Sequence, residues 1–521
     1  MGKHLLVPPS QPSCTYYTQR GYAVDKGADN DALIAYLRKL LTVEPKVSPD
    51  APAGTAAPFP VYRESSKKFY IPRALGFELF GPPRVDGLHD GADAHGLQFA
   101  GSLRQEQQPA IDAFLEAARD PARQGGIISL QCGGGKTVCG LYLACVLKKS
   151  TLIICHKEFL IAQWRERIAQ FIPTATVGII KAKKTQVANS DGTPCDIVLA
   201  SLQSLSMKSY PESLFQQFGL VICDECHHLS AEVFSQALPK VTARVFLGLS
   251  ATLDRKDGLR KVFEWFLGKP VFEMKKRLES QMIVRVVPFE KDYTNKEHAR
   301  DDYGETKFLW NGKRNVAAML NAICAFKPRN DRIMAELEAV LSKEPGRRTL
   351  ILSDRRNHLK ELERMIKARG LCGGQVGYYV GGMKEADLKA SEDMPIILAT
   401  YAMASEGMDI PALNTLVLAS PVSAIEQPIG RIQRQKPAER THTPLTIDLW
   451  DTFGLYKAQG FRRMKFYKKS GYAVHMEGGN ESDESGAEES EDEQDQRAQP
   501  KRQGKQKEAI PDFEDDESDE G

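Results

Sequence analysis

Between residues 125 and 271, short uninterrupted apolar runs alternate with longer stretches that place apolar residues at helical spacing. Runs at 127–130, 151–155, 196–200, 220–223 and 245–249 are separated by stretches such as 138–147 and 159–171. An apolar run of about four to eight residues without polar alternation is what a strand covered on both faces requires. Strands of that kind joined by helices predict a mostly parallel sheet with helices on both sides. The pattern breaks over 272–345, where charged and helical residues mix. It then resumes with runs at 349–352, 376–380, 396–400, 415–418 and 444–449 and a helical stretch at 357–369. A second domain of the same kind is expected there. Residues 1–98 mix short apolar patches with a Pro/Ala/Gly-rich stretch at 48–60, which reads as a loop inside a small accessory module. No internal repeat of about 20–50 residues is visible, which argues against a solenoid. The expected class is α/β, with tandem parallel-sheet domains at 99–271 and 346–475, a module at 1–98, a linker or insertion at 272–345 and a tail at 476–521.

Composition refines this picture in three respects. With 521 residues, 42% of them hydrophobic, the chain can bury the cores of about three domains. No run approaches the roughly 18 apolar residues of a membrane span, and the first residues are too short in apolar length for a signal peptide. A soluble intracellular protein with no membrane partner is therefore expected. Ten cysteines, several of them inside apolar runs (Cys139, Cys145, Cys155), fit reduced thiols acting as small hydrophobes. The net charge of +2 hides an asymmetry: residues 476–521 hold 18 acidic and 5 basic side chains, a net −13, leaving +15 on the rest. A basic body suits a polyanion partner. The acidic tail has too little apolar surface to offset its ordering entropy, and is expected to be disordered.

The candidate chemistry begins at 130–137, Leu-Gln-Cys-Gly-Gly-Gly-Lys-Thr, between a predicted strand and a predicted helix. Glycines let backbone N–H groups approach phosphate oxygens without a Cβ in the way, and a helix N-terminus favours negative charge. Cys132, Gly133, Gly134 and Gly135 would form the cradle, Lys136 would reach the β and γ phosphates of ATP, and the Thr137 hydroxyl would hold Mg2+. Leu130 stands where the first glycine of the usual pattern would be. Asp224 and Glu225 directly follow an apolar strand, at the edge where ligands sit in parallel sheets, so Asp224 could hold the metal and Glu225 polarise a water. The same stretch also reads Cys223-x-x-Cys226-His227-His228, the residue types of a zinc cluster. That reading is the weaker one, because no second cysteine pair lies at zinc-finger spacing. Ser250 and Thr252 end another strand, Gly407-Met-Asp409 follows one, and Gln427-x-x-Gly-Arg431-x-x-Arg434 puts its arginines three apart on an expected helix face.

Taken in order, Leu103-Arg-Gln-Glu-Gln, the phosphate loop, Asp224-Glu-Cys-His, Ser250-Ala-Thr, Ser405-Glu-Gly-Met-Asp-Ile-Pro and Gln427-x-x-Gly-Arg-x-x-Arg resemble the full motif set of superfamily 2 helicases, over about residues 100–470. Within it, the phosphate loop and Gly-Leu-Ser-Ala-Thr-Leu-Asp-Arg-Lys-Asp look most like the XPB/Rad-twenty-five branch and the transcription helicases of large DNA viruses and some phages. The resemblance implies RecA-like domains with ATP in the cleft and nucleic acid across the top, DNA favoured over RNA. It implies Gln107 and Arg104 for adenine, His227 and Gln427 for nucleotide sensing, Gly407 and Asp409 as further nucleotide contacts, and Arg431 and Arg434 as arginine fingers. Transcription or replication machinery as partner follows from the same likeness, while the reduced cysteines fit the nucleus, a viral replication compartment or the cytoplasm as location. One departure is Arg255-Lys256-Asp257, where the branch carries Arg-Glu-Asp. An RNA helicase, a double-stranded DNA translocase and a catalytically idle scaffold are the competing readings.

Overall fold

A computed structural model describes residues 8–18, 20–45, 57–131, 133–226, 231–251, 258–274, 282–292, 294, 303, 309–310, 313–406, 408, 410–435 and 439–477. The apolar runs of the first half become the inner strands of an eight-stranded sheet. Its order is Lys184–Gln186, Val177–Lys181, Ile197–Ser201, Thr151–Cys155, Leu220–Cys223, Val245–Ser250, Gly125–Ser129, Pro270–Glu273. Every neighbouring pair is parallel except the outermost, Val177–Lys181 with Lys184–Gln186. The four central strands, from Thr151–Cys155 to Gly125–Ser129, are buried at every position because helices cover both faces.

The second sheet has seven strands, all pairs parallel, in the order Val376–Tyr379, Ile396–Ala399, Thr349–Leu352, Thr415–Leu418, Leu445–Asp451, Ile283–Phe289, Ala473–Met476. Two expectations change here. Part of the stretch read as a linker or insertion belongs to this sheet: Ile283–Phe289 pairs along its whole length with Leu445–Asp451. The helix Lys327–Lys343 is clamped to the same strand, with Arg329 donating from Nε and Nη2 to the two carboxylate oxygens of Asp451 at 2.7 and 2.9 Å, both side chains fully buried. Lys327, Glu338 and Lys343 are exposed while Ile333, Met334, Leu337 and Val340 pack inward, so the composition resembles a linker although the buried stripe does not. The tail, expected from 476, starts no earlier than 478. Met476 closes the last strand, and the Glu477 N–H donates to the Val286 carbonyl. Residues 478–521 lie outside the described residues.

The N-terminal residues form a five-stranded sheet in the order Arg63–Glu64, Lys68–Ile71, Gly21–Asp25, Thr15–Thr18, Val85–Asp86, with helices Asp31–Leu41 and Arg73–Phe80. Its core is not separate: Tyr17, Tyr22, Phe69 and Phe77 belong to the same apolar cluster as Phe246, Phe263 and Phe266 of the first large domain. The Tyr17 hydroxyl donates to the Ala243 carbonyl at 3.0 Å, and Arg244 pairs with Asp86 and Asp90. Among the described residues no helix is long and apolar enough to cross a membrane.

Candidate nucleotide site

Three adjacent strands bring the first-half motifs to one edge. In the sheet, Ser250 is in register with Ser129, and Cys223 with Gly248, so the phosphate loop, the acidic pair and the Ser250 turn leave neighbouring carboxyl ends. Leu130, the residue in place of a glycine, is fully buried, and its N–H donates to the Ser250 carbonyl at 3.0 Å. Its side chain finishes the core rather than lining the loop, which explains why the substitution is compatible with the turn. Gly133 and Gly135 have φ of +79° and +83°, the left-handed region that side chains avoid. Gly135 caps the helix Lys136–Leu147, and a Cβ on it would lie 2.0 Å from Gln107 Nε2. Lys136 and Thr137 therefore open a helix whose first N–H groups face the loop. Cys132 lies outside the described residues.

Gln107 and Arg104, which the motif resemblance assigns to adenine, both sit against this loop. Gln107 is 1% exposed, and both ends of its amide are bonded within the protein. Its Nε2 donates to the Gly134 carbonyl at 3.0 Å, and its Oε1 accepts from the Arg104 N–H at 2.8 Å. Arg104 donates from Nη1 to the Gly133 carbonyl at 3.1 Å. Both residues brace the cradle by its carbonyls, which turns the loop's N–H groups the other way. Burial of the loop edge decides this, and spacing alone could not show it.

The acidic pair is held tightly. Asp224, 5% exposed, accepts from the Trp164 indole N–H at 2.7 Å on Oδ2 and from the Glu225 N–H at 3.0 Å on Oδ1. Glu225 has φ of +47°, a left-handed conformation for a non-glycine residue, and its Oε1 is 2.7 Å from Lys136 Nζ. Burial, and next the Glu225 charge, raise the Asp224 carboxyl above the usual carboxylate range, with Lys136 and Trp164 acting against them. A buried carboxylate and a part-buried one therefore face one ammonium. That surplus of negative charge suits a divalent cation, with Asp224 and Thr137 as its protein ligands. Trp164 was not a candidate from the sequence: it reads as one apolar residue on a helix, and nothing in its spacing says that its N–H crosses to the neighbouring strand. Cys223 and Cys226, the cysteines of the zinc alternative, are both part of an apolar core cluster. His227 lies outside the described residues, as do His228 and Thr252.

From the second sheet, the helix Glu426–Arg431 is shorter than expected and ends at Arg431, so Arg434 does not share its face. The two arginines go to different places. Arg431 is 8% exposed and donates from Nε to the Ala404 carbonyl at 2.6 Å and from Nη1 to the Met408 carbonyl at 2.8 Å, inside its own domain. Arg434 reaches across: its Cγ is 3.9 Å from where a Cβ on Gly133 would be. Gln427 is buried in the same helix. Tyr379, a further residue with no signal in the sequence, ends a strand near both arginines. Burial, and next Glu392, push its hydroxyl up to about 12, opposed by Arg431 and Arg434. Gly407 and Asp409 lie outside the described residues.

Comparison with known proteins gives two family matches: the model of the type III restriction enzyme res subunit over residues 100–255, and that of the helicase conserved C-terminal domain over 331–436. A protein of Acanthamoeba polyphaga mimivirus, named as a candidate ATP-dependent RNA helicase, is 32% identical over 466 residues, 88% of this chain and 86% of its own. A candidate helicase of invertebrate iridescent virus 6 is 28% identical over 78% of this chain and 89% of its own. A probable-helicase gene product of Escherichia phage T5 is 28% identical over 71% of this chain and 76% of its own.

Proposed function

From a chain that belongs to superfamily 2 of the helicases, we propose an ATP-hydrolysing motor that moves along or separates nucleic-acid strands. One observation carries the reading. Lys136 and Glu225, the phosphate-binding and water-activating candidates, are paired at 2.7 Å beside Asp224, with Arg434 of the other sheet against Gly133 of the loop. The loop N–H groups and Lys136 take the ATP phosphates, so Lys136 exchanges the Glu225 carboxylate for phosphate oxygen. Glu225 is thereby released to orient the attacking water and accept its proton. Asp224 and Thr137 hold Mg2+, which when bound neutralises phosphate charge. Arg434 adds positive charge to the loop only when the two sheets are closed together, so nucleotide state and domain closure are linked. Gln427 and His227 are assigned to the same interface on the strength of the motif resemblance, as are Gly407 and Asp409.

Nucleic acid is gripped mainly through phosphates by the basic body, with weak sequence preference and strong salt dependence. The mimivirus relative's name speaks of RNA, while the motif resemblance speaks for DNA, so the relatives lend DNA no support over RNA. ATP hydrolysis measured alone and with single-stranded DNA, double-stranded DNA or RNA tests both points. Stimulation of several-fold by at least one of them is expected, and the larger stimulation names the substrate. A rate indifferent to all three would sink the motor reading.

If Asp224 holds the metal, Trp164 positions it. Trp164→Phe keeps an aromatic ring of similar bulk but removes the 2.7 Å donor. The Mg2+ concentration giving half-maximal hydrolysis should rise roughly 10-fold, as for other partners that orient a metal ligand. An unchanged Mg2+ requirement would leave Trp164 as a packing residue only.

A further inference from the structure

Where the N-terminal sheet meets the first large sheet there is a pocket of about 30 Å³ that shares no residue with the nucleotide site. Arg20, Arg63, Arg73, Tyr62, Tyr70 and Thr242 contribute its polar groups, and no carboxylate lines it. Arg20 pairs at its mouth with Glu212 at 2.9 Å, both side chains about half-exposed. Among the described residues the Arg63 side chain makes no hydrogen bond or ion pair. Burial lowers its pKa, and the nearby Glu212 charge only partly opposes this. Arg73 is 5% exposed. It donates from Nε to the Tyr17 hydroxyl and from Nη2 to the Gln124 carbonyl, both at 3.1 Å, while its Nη1 has no partner among the described residues.

Two further features add positive potential. Arg73 opens the helix Arg73–Phe80, whose Pro72 cap supplies no side-chain hydrogen bond, and Pro72 and Arg73 both line the pocket, so the positive end of that helix abuts it. Lys240, in the adjoining segment, is close enough to Arg63 for burial and that charge to lower its own pKa. Glu212 is one carboxylate beside three guanidinium groups, and a half-buried excess of positive charge is costly unless an anion compensates it.

We propose that this pocket binds a single oxyanion, a phosphate or carboxylate group, held by Arg63 and Arg73 at the joint between the N-terminal module and the first large sheet. Its volume is that of about two waters, enough for one anionic head and too small for a whole nucleotide. Two sources carry this chemistry. One is free phosphate or a phosphomonoester. The other is the chain's own acidic segment, in which Asp512, Glu514, Asp515 and Asp516 flank Phe513.

The test uses the full chain with Lys136→Ala, which disables the phosphate loop, and titrates inorganic phosphate by calorimetry and thermal melting at constant ionic strength. Free phosphate as the source predicts one bound phosphate, a melting temperature that rises with its concentration, and affinity weakened about 10-fold or more by Arg63→Gln, as for a lost charge-assisted hydrogen bond. Arg20→Gln, at the exposed mouth, should also weaken it, and reads the site even if Arg63→Gln fails to fold. The chain's own carboxylates as the source predict no binding until Asp512, Glu514, Asp515 and Asp516 are changed to their amides, after which the same site appears. No binding in either chain, or binding indifferent to both arginine substitutions, overturns the proposal.

Discussion

Glu225→Gln should keep ATP bound and lose turnover by about 10²–10⁴-fold, the usual worth of a positioned general base. The amide cannot accept the proton of the attacking water. It also cannot hold Lys136 as an ion pair, so the 2.7 Å contact that competes with phosphate in the unliganded protein is weakened. ATP affinity should accordingly be unchanged or tighter. Lys136→Ala should do the reverse: removing a charge-assisted bond to phosphate costs about 1.5–3 kcal/mol, about 10–150-fold in affinity. Equilibrium binding of a fluorescent ATP analogue, measured beside single-turnover hydrolysis, separates the two. Near-normal hydrolysis in Glu225→Gln would remove it from the catalytic role.

The second large effect is expected at Arg434, and it distinguishes two residues that the motif treats alike. Arg434→Ala should lower turnover by about 10³-fold or more, the range of arginine fingers in other nucleotide hydrolases, with little change in ATP affinity. Arg431→Ala should act first on stability. It deprives the Ala404 and Met408 carbonyls of a buried donor, and each buried group left unsatisfied costs about 1–3 kcal/mol. Urea unfolding and steady-state hydrolysis on both variants decide the matter. Full turnover in Arg434→Ala, with turnover lost from an undestabilised Arg431→Ala, would exchange the two roles.

Local pattern alone identified the parallel α/β class, because strands such as Leu220–Cys223 and Thr415–Leu418 are buried on both faces and read as unbroken apolar runs. It also located the phosphate loop and the acidic pair, since their chemistry resides in residue types a few positions apart. Strands without such a run were invisible. Val177–Lys181 buries only alternate positions, and Ile283–Phe289 carries Arg285 and Pro288 within it. Both depend on distant partners for their pairing, which no local window contains. The tertiary structure likewise decided which way the side chains of the motifs turn. Gln107 faces the loop carbonyls, Arg431 is absorbed by its own domain, Arg434 faces Gly133, and Trp164 donates to Asp224 from 60 residues away. Which donors and acceptors meet is set by packing between elements far apart in the chain, because a buried polar group must find a partner wherever the fold supplies one. Sequence spacing carries the identity of those groups; their direction belongs to the assembled core.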